Sequence, residues 1–209
     1  ALTGKLSFPS SLKTIGEYAF YSCKGLTGDL TIPGSVTIIS TNAFGECTGL
    51  NGKLTIEPGP KSIGVQAFYN CYNLTELELG EGITGIGYSA FHNCRNLIGD
   101  LVIPDSVTEI GPYAFYNCYN LNGTLTLSAN LTTLGESAFN ACYGITGEIV
   151  VPVGVTRINM RVFSGMSNVT SLVLPENLAS IYTYYTDSDH PFYGMTSLKE
   201  ITFLGTNVP

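Results

Sequence analysis

The sequence predicts an α/β repeat solenoid, a single domain over residues 1–209 built by stacking copies of one unit. A parallel β-sheet is expected on one side and short helical turns on the other. Three observations carry this. The pair Ala-Phe recurs at Ala19-Phe20, Ala43-Phe44, Ala67-Phe68, Ala90-Phe91, Ala114-Phe115 and Ala138-Phe139, with degenerate copies at Val162-Phe163 and Pro191-Phe192. Successive phenylalanines are 24, 24, 23, 24, 24, 24 and 29 residues apart. An apolar-x-apolar triplet keeps step with them, from Leu6/Phe8 and Leu30/Ile32 through Leu77/Leu79 and Leu101/Ile103 to Ile201/Phe203. A cysteine stands three positions after each of the first six phenylalanines. Self-similarity at a fixed period of 20 to 50 residues is the mark of a stacked repeat architecture. About eight units of 23–24 residues and a final strand fill the chain.

Taken in order along the unit, each part has a physical role. The triplet alternates with period two, which puts both apolar residues on one face of a short strand, and adjacent copies are expected to pair in parallel. Pro9, Pro33, Pro104, Pro152 and Pro175 follow the triplet and, lacking an amide donor, end the pairing there. A second apolar pair, such as Val107 and Ile110, returns to the core. The glycine after it (Gly16, Gly64, Gly87, Gly111, Gly135) suits a turn with positive φ. The Ala-Phe segment reads as one or two helical turns, with Phe115 and Cys118 three apart facing inward and Tyr116 and Tyr119 facing outward. Asn73, Asn96, Asn120 and Asn168 exchange with Gly25, Gly49 and Gly144 in one slot, which points to a left-handed backbone. A glycine two residues before the strand, such as Gly99 or Gly147, marks a bulge in the 24-residue units. The 29-residue interval implies a six-residue insertion within about 182–191, read as a protruding loop.

Composition excludes several classes. With 44% hydrophobic residues the chain has enough apolar surface to fold, against the profile of disordered chains. Nine Lys and Arg and a net charge of −7 exclude a nucleic-acid partner, which needs clustered basic groups. No stretch approaches the roughly 18 apolar residues of a spanning helix, so no membrane insertion is expected. The six cysteines share their slot with Met166 and Met195, so it takes a soft apolar filler and the thiols are expected to be free. A file of cysteines does not converge on a metal, and His92, in a slot held elsewhere by tyrosine, reads as an exposed surface residue. Neither a catalytic constellation nor a cofactor motif occurs, so no enzyme and no cofactor are expected. Ala1-Leu-Thr-Gly4 matches Gly25-Leu-Thr-Gly28, so the chain opens inside a repeat and is expected to be a fragment of a longer one.

The unit L-x-I-P-x-S-V-T-x-I-G-x-x-A-F-x-x-C-x-x-L resembles the BspA-like, Treponema pallidum-type leucine-rich repeat family over essentially the whole chain. The resemblance implies a right-handed curved leucine-rich-repeat horseshoe with the sheet on its concave side. It also implies an extracellular or cell-surface location and adhesion to a protein partner, including host extracellular proteins. It carries over no catalytic residue. Pro60 departs from the pattern by standing in a core slot that holds Val36 or Val107 elsewhere.

Two surfaces are candidates for the partner. On the sheet face the register turns Glu76, Glu78, Asp100, Val102, Thr126 and Val150 outward, an acidic strip that becomes apolar and favours a partner carrying basic groups. On the turn face it aligns Tyr69, Tyr72, Arg95, Tyr116, Tyr119 and Tyr143, with Arg95 between Tyr72 and Tyr119. Tyr and Arg are enriched at binding hot spots, but such a row also arises when one unit is duplicated and stacked. Tyrosine rings also suit sugars, which leaves a glycan as the alternative ligand, and a structural spacer in a larger surface protein as a third reading.

Overall fold

The computed structural model describes residues 2–182 and 186–205. Two parallel ladders run along it. The apolar triplets form the first, as strands Leu30–Ile32, Lys53–Ile56, Glu76–Leu79, Leu101–Val102, Leu125–Thr126, Thr146–Val150, Asn168–Leu174 and Glu200–Phe203. Partners lie one coil apart: Leu30 faces Leu54, Leu101 faces Leu125 and Leu172 faces Ile201. The register therefore stacks like on like, and each leucine buries itself against its own copies. The second ladder is made of two-residue strands at the apolar return, with Thr14–Ile15, Ile38–Ile39, Ser62–Ile63, Gly85–Ile86, Glu109–Ile110 and Thr133–Leu134 in one file. Arg157–Ile158 and Ser180–Ile181 pair in the same way. In the sequence this segment reads only as a return to the core, because two residues are too few to show a period.

The third side of each coil corrects the sequence reading. Where helical turns are expected, the chain makes successive tight turns, and among the described residues the one helical segment is the three-residue 3₁₀ turn Asp187–Asp189. The fold is a parallel β-solenoid of leucine-rich-repeat type, without the α-helical half of an α/β assignment. The pitch explains this. Neighbouring parallel strands lie about 4.8 Å apart, whereas an α-helix is about 10 Å across, so helices do not fit between coils locked in two ladders. The Ala-Phe segments keep the strand pitch: the amide of Phe44 bonds the carbonyl of Ala67, Phe68 that of Ala90, Phe91 that of Ala114 and Phe115 that of Ala138, each at 2.8 Å. Alternate amides close turns inside the coil, as Cys71 to Phe68 at 3.3 Å. Residues three apart share a side in a helix and in this turn, so the Phe-Cys spacing does not distinguish the two.

Left-handed backbone also falls elsewhere than expected. It occurs just before Ala-Phe and just before Cys, as at Gln66 and Asn70 (φ 54° and 57°) or Tyr113 and Asn117 (φ 57° and 62°). Gly16, Gly64, Gly87, Gly111 and Gly135 have negative φ, as do Asn73, Asn96, Asn120 and Asn168. At Gly64, Gly87, Gly111 and Gly135 the glycine answers close approach between coils: a Cβ on Gly111 would lie 2.8 Å from the Tyr88 nitrogen and 2.9 Å from the Gly87 carbonyl carbon. Three of these asparagines form a side-chain file, Asn120 Nδ2 donating to Asn96 Oδ1 and Asn96 Nδ2 to Asn73 Oδ1, while Asn168 Nδ2 donates to the Tyr143 carbonyl. The bulge is present at Gly147, where φ is +81° and the register shifts before Glu148. Pro60 is buried in the slot of Val36 and Val107, as its position in the repeat requires.

The core is a set of files along the stack. Phe44, Phe68, Phe91, Phe115, Phe139 and Phe163 are fully buried. Consecutive rings from Phe20 to Phe139 lie 5.1–5.4 Å apart and within 12° of parallel. The cysteines are free thiols; Cys71 Sγ donates to the Phe44 carbonyl at 3.1 Å and Cys94 Sγ to that of Phe68 at 3.3 Å, one coil back each time. Burial pushes the Cys47 thiol up to about 12 and raises those of Cys71, Cys94 and Cys118 as well. Such thiols remain protonated and unreactive. The insertion is tied down where it is described. Arg161 donates from Nε to the Ser188 carbonyl at 3.1 Å and pairs through a second nitrogen with the Asp189 carboxylate. Asp189 also accepts from Thr186 Oγ1 at 2.8 Å and is buried, so this half of the segment is docked, against the expectation of a protruding loop. Residues 183–185 of the insertion lie outside the described residues.

Candidate functional site

The sheet face carries two stripes, because side chains on a strand alternate faces and the copies stack in register. One contains Glu76, Asp100, Thr124, Glu148, Ser171 and Glu200, the other Glu78, Val102, Thr126, Val150, Val173 and Thr202. All six expected residues of this face are exposed, with Val102 at 56% and Val150 at 51%. Two shallow grooves lie on it. The first, about 480 Å³, is floored by Leu125 and Leu127 and walled by Glu148, Val150, Pro152 and Val153. The second, about 440 Å³, lies between Glu76, Glu78, Ile98 and Asp100 and includes Lys53. Val153, 55% exposed, is missing from the sequence-derived set although it follows Pro152, which ends its triplet, a place the register identifies.

The charges on this face are partly used by the fold. Lys53 Nζ sits 2.6 Å from Glu78 Oε2, an exposed pair of small worth. Asp100 Oδ1 accepts from the amide of Thr124 at 2.7 Å and from its hydroxyl at 2.9 Å. These two donors hold the Asp100 carboxyl below the usual carboxylate range. Glu148 Oε2 accepts from Ser171 Oγ at 3.2 Å. Glu76 has no hydrogen bond or ion pair of this kind, and Asp100 and Glu148 each keep a second oxygen outside these bonds.

The turn face gathers the aromatic set. Arg95 lies 5.1 Å from the Tyr72 ring and 5.6 Å from that of Tyr119, and Tyr119 stacks on Tyr143 at 5.5 Å. In the neighbouring row His92 stands between Tyr69 at 5.0 Å and Tyr116 at 4.8 Å. His92 is thus half-buried, against the expectation of an exposed residue, because both flanking slots hold rings. Burial and the nearby Arg95 charge push its pKa down to about 4, and its Nδ1 has no hydrogen-bond partner. Tyr88 and Tyr113 extend the patch, with Tyr113 5.8 Å from Tyr88, 5.7 Å from Tyr116 and bonded through its hydroxyl to Glu136. Tyr113 shares its slot with Tyr18, so the register signals it too. The stacked rings spend their faces on one another, which leaves edges and hydroxyls for solvent.

No group of three His, Cys, Asp or Glu among the described residues is arranged to hold a metal ion. No helix among them is long and apolar enough to cross a membrane.

Two parallel ladders, a like-on-like leucine and phenylalanine core and a 23–24-residue period define a leucine-rich-repeat solenoid. The chain belongs to the BspA type leucine-rich repeat family, whose model matches residues 2–122 and 97–208 with six copies of the region. Among solved structures it is similar to the Treponema pallidum leucine-rich repeat protein TpLRR, with 28% identity over 82% of this chain and 78% of that one and a TM-score of 0.70. It is also similar in fold to a leucine-rich repeat protein from Bacteroides ovatus, at 23% identity and a TM-score of 0.64, over 97% of this chain and 61% of that one. No curated protein matches the chain in sequence. Leucine-rich repeats generally mediate protein–protein interaction, and the family is generally non-enzymatic.

Proposed function

We propose that the protein is a non-catalytic recognition module that binds another protein on its sheet face, as a surface or secreted adhesion-type component. The observation that carries this is the open sheet face itself. Val102, Val150 and Val153 are more than half exposed, and Val150 and Val153 line a groove of about 480 Å³. A fold with two ladders and a filled core has no internal need for those valines to lie in water, and exposed apolar patches in a polar setting mark interaction sites. The turn face supports this reading less, because its rings and Arg95 satisfy one another. Its part is to stiffen the stack.

The test is direct binding to a panel of immobilised extracellular-matrix and host-surface proteins by biolayer interferometry, alongside a glycan array. A specific protein ligand lost on Val150→Arg and kept on the triple replacement of Tyr72, Arg95 and Tyr119 by Ala is the expected result. A glycan hit with no protein ligand replaces the proposal with carbohydrate binding.

A further inference from the structure

The two stripes of the sheet face differ in chemistry, and the difference narrows the class of partner. From Glu76 to Thr202 one stripe reads Glu, Asp, Thr, Glu, Ser, Glu, while its neighbour reads Glu, Val, Thr, Val, Val, Thr. None of these twelve positions is Lys or Arg. Lys53, one coil before Glu76, is engaged by Glu78. A row with carboxylates at four of its six positions therefore runs beside a row of three valines, two threonines and one glutamate, both along the stack and across the strands. The groove at Glu148, Val150 and Val153 is where the two rows meet a wall.

The geometry points to a defined occupant: an extended polypeptide segment lying along the stack, with Lys or Arg on one edge and aliphatic side chains on the other. This inference rests on the reading of the sheet face as a protein-binding surface and adds the chemistry of what binds there. An extended chain turns successive side chains to opposite edges, so a sequence alternating basic and aliphatic residues meets both rows at once. Neighbouring coils lie about 4.8 Å apart and an extended segment rises about 3.3 Å per residue, so successive side chains on one edge, about 6.6 Å apart, face the roughly 9.6 Å from Asp100 to Glu148. The long stems of Lys and Arg absorb the mismatch between the two pitches. The charge pattern also rejects competitors: an acidic segment meets Glu76, Asp100 and Glu148 with like charge.

The experiment uses the chain with three fluorescein-labelled decapeptides, each flanked by Gly-Ser. One alternates Lys and Val, one alternates Glu and Val, and one alternates Lys and Ser. Fluorescence anisotropy is expected to show the Lys-Val peptide binding at least tenfold tighter than either control at about 50 mM salt. Its affinity is expected to fall several-fold by about 300 mM salt, where exposed charges are screened beyond a few ångströms. Glu148→Lys and Val150→Ser, each checked for unchanged thermal unfolding, are expected to weaken it about tenfold, while Tyr119→Ala leaves it alone. The inference is overturned by equal binding of the Glu-Val peptide, by no binding of the Lys-Val peptide up to about 1 mM, or by affinities that ignore both sheet-face variants. These results are separable from the fate of the parent reading. A protein ligand that is lost on Val150→Arg but has no basic-aliphatic preference keeps sheet-face recognition and removes this account of it.

Discussion

At the residue scale, positions with no side chain determine how closely the coils approach. Gly111 is buried with the backbone of the previous coil directly over it, 2.8 Å from where a Cβ would stand. That contact is with main chain, which cannot swing aside, so Gly111→Ala must push two coils apart. A loss of about 2–3 kcal/mol is expected, in the range of overpacking changes, and chemical denaturation against the parent chain measures it. Gly99, at φ +83° with nothing near its Cβ, is the contrasting case, where strain comes from the dihedral alone. The sequence showed that a glycine was wanted at both kinds of place. It did not show which reason applied, because recurrence in a repeat looks the same whether a Cβ would be strained or crowded.

At the element scale, the files matter more than the strands. Phe91 touches the rings of Phe68 at 5.4 Å and Phe115 at 5.1 Å and is fully buried. Phe91→Ala opens a void in the middle of that file and is expected to cost about 3–5 kcal/mol. Arg95→Ala, on the outer file between Tyr72 and Tyr119, is expected to cost only about 0.5–1 kcal/mol, the worth of an exposed cation–π contact. Thermal unfolding of both variants separates the file that holds the molecule together from the one that trims its surface. Both files were legible in the sequence, since Phe91 and Arg95 each occupy a recurring slot. The helix assigned to that segment was not, because Phe, Tyr and Cys at spacing three satisfy either a helix or a chain of tight turns. The neighbouring coil's pitch selected the turns.

At the scale of the whole molecule, stability depends on acid through a histidine held between two tyrosine rings. His92 has its pKa pushed from 6.5 to about 4 by burial between rings and by Arg95. The folded state thus prefers the neutral imidazole, and the unfolded chain binds the extra proton between those values. This contribution is complete above pH 6.5, declines as pH falls, and is spent by about pH 4. His92 is only half-buried, so solvent screening reduces the effect to on the order of 1 kcal/mol. Melting temperatures across pH 4 to 7 are expected to fall toward acid less steeply in His92→Phe than in the parent. Equal slopes would show that the carboxylates alone set the acid response. The sequence aligned His92 with Tyr69 and Tyr116, 23 and 24 positions away, but not the packing of those rings that buries it.

By itself the amino-acid sequence determined the repeat, its register, the like-on-like core, the cysteine file and the exposure of the sheet-face residues. All of these follow from which residue occupies which slot of a 23–24-residue period. Only the tertiary structure decided the second ladder, the turns in place of helices, the docked half of the insertion and the pairing of the acidic and valine stripes around one groove. Those depend on how far one coil lies from the next. That distance is set by backbone hydrogen bonds between coils, which side-chain periodicity does not encode.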